Sequence, residues 1–238
     1  MLIWRALQIP VAGKPVMIRD PADAIRQLPE KSLSQQIYDR LLTMMIERKL
    51  PVGTVLQERK LAEALEVSRT PAREALYRLE TEGYISRQPG NSLIVREFST
   101  RELMEVLHVR AMLEVEAVAL AIGRISNEEL DEIEASVRRV LEDEEPNPVD
   151  DWAVDSRLHD TIANASGNAV LAKMALELRL KTRMFNMIRV PDRFRVGHME
   201  HLEIIAAIRA GEREAARAAV RNHIDGVKNA IIRKLSEV

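Results

Sequence analysis

Residues 67–79 read VSRTPAREALYRL, and this stretch decides the fold of the N-terminal part of the chain. Its apolar residues recur at the three- and four-residue spacing of one helix face: Ala72, Ala75, Leu76 and Leu79. Ser68 or Thr70 can cap such a helix, and Pro71 is tolerated in a first turn because its missing N–H has no partner there to lose. Since glycine favours the position after a helix, Gly83 ends it, and we predict a helix over about 69–82.

The residues on either side complete a small domain. One helix is predicted over about 34–50, stopped by Pro51 and Gly53, and another over about 58–65. Two short strands, at about 84–86 and 92–95, flank the turn-forming residues Gln88-Pro89-Gly90-Asn91. A pair of short helices followed by an antiparallel ribbon is typical of a winged helix-turn-helix, which we place at residues 31–96.

This arrangement suits DNA, because the second helix of the pair can lie in the major groove, which is about 12 Å wide. Arg69 and Arg73 are four residues apart and off the apolar stripe, and an arginine can donate two hydrogen bonds to one guanine. The glycine in the turn of the ribbon allows close approach to the minor groove. The candidate DNA-contacting residues are Arg59, Ser68, Arg69, Thr70, Pro71, Arg73 and Gly90. The alternative is that these arginines only solvate a helical surface.

Charge and composition narrow the classes of protein that fit. The net charge of −2 hides an asymmetry, because residues 31–96 hold eleven Lys and Arg against eight Asp and Glu, whereas residues 97–238 hold twenty against twenty-six. The chain has no cysteine, which excludes disulfides and thiolate metal ligands. No apolar run approaches the ~20 residues that cross a bilayer, so we expect no membrane partner and a cytoplasmic location.

Residues 1–30 carry four prolines without a clear hydrophobic period. We interpret them as an irregular N-terminal extension, with Met17 as an alternative translation start. Everything from residue 101 onward is predicted to be helical, over about 101–122, 127–143, 149–165, 168–189, 192–210 and 212–236. Short connections between six helices predict an antiparallel bundle over residues 97–238. The fold class is therefore mainly α, with a winged helix-turn-helix followed by an all-helical bundle.

Four polar residues occupy positions where the bundle helices should bury apolar side chains. Asp155 and His159 lie on the stripe of Trp152 and Ile162, and His201 and His223 occupy the inner faces of the last two helices. Each unpaired buried polar group costs about 1–3 kcal/mol or more. A shared divalent cation such as Zn, Ni or Mn would satisfy all four. The alternative is that each histidine is satisfied separately in the core, and His198 is the rival of His201.

Arg110 is a further polar residue on an apolar stripe, in the first bundle helix. A guanidinium that faces a bundle interior needs an anion to pair with. That anion is either the carboxylate of a bound ligand or an internal one, for which Glu114 and Glu116 are nearby.

The N-terminal motifs resemble those of the GntR family of regulators. They are Pro51-x-Gly53-x-x-Leu56, Glu58-Arg59-x-Leu61-Ala62, residues 67–79 and Gly83-Tyr84-Ile85. One departure is Ala72, where a larger aliphatic residue is more usual, and it affects packing rather than base recognition. The resemblance implies that Arg59, Arg69, Thr70, Arg73 and Gly90 contact DNA. Because one recognition helix alone binds weakly, we expect a homodimer whose two recognition helices match a palindromic operator.

The C-terminal motifs are similar to the FCD effector domain of the FadR subfamily, in its six-helix, VanR-type branch. They are Asp155-x-x-x-His159, residues 165–168, Glu200-His201-x-x-Ile204, Ala207-Ile208-x-x-Gly211 and His223-Ile224. The resemblance implies a metal held by Asp155, His159, His201 and His223, and a small carboxylic-acid effector. We expect Arg110, Asn164 and Asn222 to contact that effector.

Three functions follow from these expectations. The first is a repressor whose operator binding is relieved by the metal-held acid. The second is a DNA-binding protein whose bundle only dimerises, with a structural metal or none. The third is an enzyme in which the three-His, one-Asp site activates water. The enzyme is disfavoured because only His198 is left as a general base, and a fused winged helix has no use in simple hydrolysis.

Overall fold

The computed structural model describes residues 31–143, 148–186 and 193–236. The chain divides into two compact units between Glu97 and Phe98, where the sequence predicts a boundary after residue 96. The predicted extension, residues 1–30, and its alternative start at Met17 lie outside the described residues.

The first unit is a winged helix-turn-helix. Its helices are α1 (Leu33–Ile46), α2 (Glu58–Ala64) and α3 (Arg69–Thr81), and its strands are β1 (Val55–Leu56), β2 (Ile85–Arg87) and β3 (Leu93–Val95). The antiparallel sheet has the order β1-β3-β2, with Val55 opposite Ile94 and Ile85 opposite Val95. Gly90 and Asn91 both have positive φ angles in the turn between β2 and β3, which is where the sequence predicts a turn.

A polar link holds α1 against α3. The hydroxyl of Tyr38 donates to Glu82, and the guanidinium of Arg78 lies 3.8 Å from the centre of the Tyr38 ring. The same guanidinium donates to Glu82 at 2.7 Å. Burial and the bond to Glu82 raise the pKa of Tyr38 above its usual range, so the hydroxyl remains a donor. The link fixes the C-terminal end of α3, and with it the helix that the sequence assigns to DNA recognition.

Two sequence predictions for this unit were wrong in detail. α1 ends at Ile46 rather than near residue 50, because Arg48 adopts a positive φ of 58° and breaks the helix. Leu50 is nevertheless buried, so the apolar pattern continues past the helix and conceals its end. The second difference is the additional strand β1, which has only two residues and therefore too little pattern for the sequence to reveal.

The second unit is helical throughout its described residues. Its six helices are α4 (Thr100–Ala121), α5 (Asn127–Glu142), α6 (Pro148–Ala165), α7 (Ala169–Asn186), α8 (Arg193–Arg209) and α9 (Arg213–Ser236). α4 begins with a capping box between Ser99 and Glu102, and Ser126 accepts a hydrogen bond from the Glu129 N–H at the start of α5. α4 packs against α7 and α9, and its inner face forms the core together with α6 and α8. None of the described helices is long and apolar enough to cross a bilayer.

Candidate metal centre and nucleic-acid interface

The helical unit brings Asp155, His159, His201 and His223 together in its interior. One ligand atom from each lies within 4.8 Å of the other three. The Nε2 atoms of His159 and His201 are 3.3 Å apart, and Asp155 Oδ1 lies 3.4 Å from His201 Nε2. Four ligands at zinc–nitrogen bond lengths are separated by about 3.3 Å in a tetrahedral site. The donor set and its spacing therefore fit a single divalent cation.

Burial makes the protonation states of these ligands suitable for a cation. Burial lowers the pKa of His201 and of His223 well below the ordinary imidazole value, and neighbouring histidines add to the shift. Both rings are therefore neutral and offer a lone pair at pH 7. Burial opposes ionisation of Asp155, but the guanidinium of Arg179 and the three neighbouring histidines together outweigh it and keep the pKa of Asp155 well below its usual range. One charged carboxylate and neutral imidazoles are the forms that bind metal.

Each ligand is oriented by a further side chain. Glu114 Oε2 lies 2.7 Å from His159 Nδ1, and Glu200 Oε2 lies 2.9 Å from His223 Nδ1. Arg179 pairs with Asp155 through its other carboxylate oxygen, Oδ2. Such outer partners fix the tautomer and direction of a metal ligand.

His198 occupies the fourth of these orienting positions. His201 Nδ1 faces His198 Nδ1 at 3.3 Å, and His198 Nε2 in turn lies 2.6 Å from Asp151. His198 is therefore directed at Asp151 and supports His201 from behind. The structure thus separates the two rivals, and His201 is the one that joins the cluster.

The first unit places the predicted DNA-contacting residues on an exposed surface. Ser68, Arg69, Thr70 and Arg73 are exposed at the start of α3, and Pro71 is half-buried in its first turn. Ser68 occupies the N-cap position, but its hydroxyl makes no capping bond, contrary to the role the sequence suggests for it. Arg59 lies on α2 beside Glu63, at 3.5 Å.

The hairpin of β2 and β3, which is the wing, forms the other side of this surface. Arg73, Tyr77 and Gly90 line one cleft between α3 and the β2–β3 turn. An added Cβ at Gly90 would meet no atom within 4 Å, so the glycine is required by its φ of 89° rather than by crowding within the chain. The absence of a side chain leaves the backbone of the turn open to a partner.

Comparison with known proteins matches each of the two units to a known domain. Residues 33–95 match the model of bacterial regulatory proteins, gntR family, and residues 105–226 match the FCD domain. The chain belongs to the GntR family. The Nta operon transcriptional regulator of Aminobacter aminovorans is 30% identical over 172 residues, which cover 72% of this chain and 81% of that protein.

A second relative connects the sequence to a solved structure. The transcriptional regulator McbR of Escherichia coli (strain K12) is 29% identical over 196 residues, covering 78% of this chain and 86% of McbR. The solved structure of E. coli McbR/YncC superposes with a TM-score of 0.72 at 25% identity, over 87% of this chain and 99% of that one. This GntR regulator is thus a DNA-binding transcriptional regulator, and because its family and relatives are regulators, it is not an enzyme.

The remaining predicted site residues of the GntR regulator need correction. Asn164 and Asn222 are exposed, so neither lines the interior as the sequence suggests. Asn164 is five residues after His159 and Asn222 is adjacent to His223, and both spacings turn a side chain away from the ligand face. Arg110 is buried as expected, but it pairs with Glu114, the internal alternative. The sequence missed Arg179 and Arg193, because their roles depend on packing between helices.

A substitution at Gly226 tests whether Arg193 and Glu200 support the ligand His223. Arg193 donates to Glu200 and, at 3.0 Å, to the carbonyl of His223, and a Cβ added at Gly226 would clash with its Nη2. We expect Gly226→Ala to displace Arg193, loosen Glu200 and weaken zinc binding about tenfold, the size of effect typical of outer partners. A titration against a competing zinc chelator measures this.

The matched control is Gly197→Ala, which also replaces a helical glycine. No atom lies within 4 Å of the Cβ added there, so we expect unchanged zinc binding and equal or higher thermal stability. Equal zinc affinities for the two variants would contradict the role given to Arg193.

Proposed function

We propose that this GntR regulator is a repressor whose operator binding is relieved by a small carboxylic acid, held at a metal site formed by Asp155, His159, His201 and His223. The observation that carries the proposal is the cluster itself, in which three imidazoles and a carboxylate converge within 4.8 Å. A core histidine satisfied separately needs one partner, whereas here each ligand is also oriented from behind. Ligands that converge on one point, each oriented by a second side chain, are typical of metal sites.

The residues in and beside the cluster have distinct proposed roles. Asp155, His159, His201 and His223 would hold the cation, for which Zn, Ni or Mn are the candidates. A cation there would offer positions at which carboxylate oxygens could bind. Arg110 stays the proposed partner for the acid, although in this structure Glu114 occupies it. An acid that reaches Arg110 must therefore share it with Glu114 or displace that carboxylate, and such rearrangement would give the two states different affinities for DNA.

We further propose that the regulator is a homodimer that binds a palindromic operator through two copies of α3. Val109 and Met112 on α4 are exposed, as are Val170 and Met174 on α7, and these two helices pack together. Glu105 shares the α4 stripe and Lys173 shares the α7 stripe. Two-fold packing of α4 on α7 of a second copy would bury the apolar residues and pair the opposite charges.

A substitution in this surface tests the dimer. We expect Met112→Glu to give a monomer in sedimentation equilibrium, because a carboxylate would be buried without a partner at the interface. The control is Met199→Glu, the same change at another exposed methionine, on α8, which should stay a dimer. A dimer in both variants would exclude this surface as the interface.

A thermal-shift experiment distinguishes the proposed sensor from a protein whose bundle only dimerises. Zinc should raise the melting temperature of the wild type, since a ligand that binds only the folded state stabilises it. Asp155→Asn should show a smaller zinc-dependent rise, because only the three histidine ligands remain. A panel of mono- and dicarboxylic acids should add a further rise only with metal present. No shift with zinc, nickel or manganese would favour the protein that only dimerises.

A further inference from the structure

The surface proposed to contact DNA contains a carboxylate, whose negative charge should repel the DNA phosphates. Glu58 is the first residue of α2 and lines the same cleft as Arg73 and Gly90. Its Oε1 accepts a hydrogen bond from Nε of Arg69 at 2.8 Å. The Glu58 side chain is only 24% exposed, whereas that of Arg69 is 71% exposed. The acid therefore lies behind the arginine, between it and the body of the domain.

The geometry of the pair determines what Arg69 can offer. A guanidinium has five N–H donors, and the bond to Glu58 uses the one on Nε. The two terminal nitrogens keep the fork that binds O6 and N7 of guanine. A paired arginine also has fewer rotamers to lose on binding, and its charge is partly offset, which reduces its attraction to any phosphate.

We propose that Glu58 is a positioning residue that determines base specificity, holding Arg69 in the orientation that reads a guanine and weakening binding to random DNA. The inference rests on the DNA contact proposed for Arg69. Without Glu58, Arg69 becomes a mobile cation that binds phosphates of any sequence. Loss of the carboxylate should therefore tighten binding to random duplexes and weaken discrimination between duplexes.

The test is selection of duplexes from a randomised pool, followed by affinity measurements. Glu58→Gln keeps the size of the side chain and removes its charge. The control is Glu63→Gln, which removes the same charge from the same helix beside Arg59. That pair is a weaker one, because its atoms are 3.5 Å apart and its side chains are 77% and 66% exposed. Far-ultraviolet circular dichroism verifies that both variants fold.

We expect the ratio of affinities, selected duplex over random duplex, to fall about tenfold or more in Glu58→Gln and to change little in Glu63→Gln. The selected base profile of Glu58→Gln should lose information at the guanine that Arg69 contacts. Equal ratios for wild type and Glu58→Gln, or an equal fall in both variants, would overturn the role of Glu58. A wild type that selects no sequence at all would instead overturn the DNA contact on which the role rests.

Discussion

Replacing His201 with Gln is expected to weaken zinc binding by about a hundredfold or more, because it removes the central ligand of the cluster. His201 Nε2 lies 3.3 Å from His159 Nε2 and 3.4 Å from Asp155 Oδ1, and its ring centre is 4.7 Å from that of His223. Any cation held by the other three side chains must therefore contact His201. Competition with a zinc chelator gives the affinity of the variant directly.

Two other histidines serve as controls for that variant. His198→Gln should weaken zinc binding by about tenfold only, because His198 orients His201 without joining the cluster. His108→Gln should leave zinc binding unchanged, since His108 is exposed on α4. A larger loss in His198→Gln than in His201→Gln would reverse the assignment made from the structure. Thermal unfolding of each metal-free variant separates lost metal binding from lost stability.

The second large effect is expected at the DNA surface, from the double variant Arg69→Ala, Arg73→Ala. Each two-bond contact between arginine and guanine discriminates by about 1–3 kcal/mol, and the proposed dimer contains two copies of each residue. Affinity for a duplex selected by the wild type should therefore fall by about a hundredfold or more. Affinity for random duplexes should fall much less, because the phosphate contacts of other residues persist.

A charge-matched control is needed, since any loss of positive charge weakens DNA binding. The double variant Lys31→Ala, Lys49→Ala removes the same two charges from the same unit, at exposed lysines paired with Asp39 and Glu47. We expect it to lower affinity for selected and random duplexes by the same modest factor. If the arginine variant did no more than this, the base contacts assigned to α3 would be wrong. Fluorescence anisotropy at fixed salt concentration measures both.

The ligands of the metal cluster could be predicted from sequence for a simple physical reason. Asp155 and His159 are polar residues on an apolar stripe four positions apart, and His201 and His223 interrupt similar stripes. A polar residue on a helix face that is otherwise apolar can be recognised from its spacing along the sequence alone. The sequence also favours His201 over its rival His198, although both histidines are buried and lie three residues apart on α8.

The supporting roles of Glu114 and Arg179 could not be predicted, because each depends on contact between helices. Glu114 on α4 reaches His159 on α6, and Arg179 on α7 reaches Asp155. No sequence pattern predicts either contact, since long charged side chains on a helix are most often solvated. The error over Asn164 and Asn222 has the same origin, because adjacency in sequence to a ligand does not bring a helical side chain to the same face.

The fold could be predicted from motifs and from the residues that end helices and strands more than from hydrophobic periodicity. Gly83 and the turn at 88–91 mark the ends of α3 and of the two wing strands. By contrast, the end of α1 depends on the backbone of Arg48, a residue with no strong preference for a positive φ. The strand β1 is too short to carry an alternating pattern and exists because it pairs with β3.

The proposed metal site is tested most directly by the metal content of the wild-type protein and of Asp155→Asn after equilibrium dialysis against limiting zinc, nickel or manganese, measured by inductively coupled plasma mass spectrometry. We expect a single tightly bound ion per chain in the wild type for at least one of these metals, and a lower content in Asp155→Asn. A wild type that binds none of the three, or an Asp155→Asn variant that binds as much as the wild type, would contradict the proposed site.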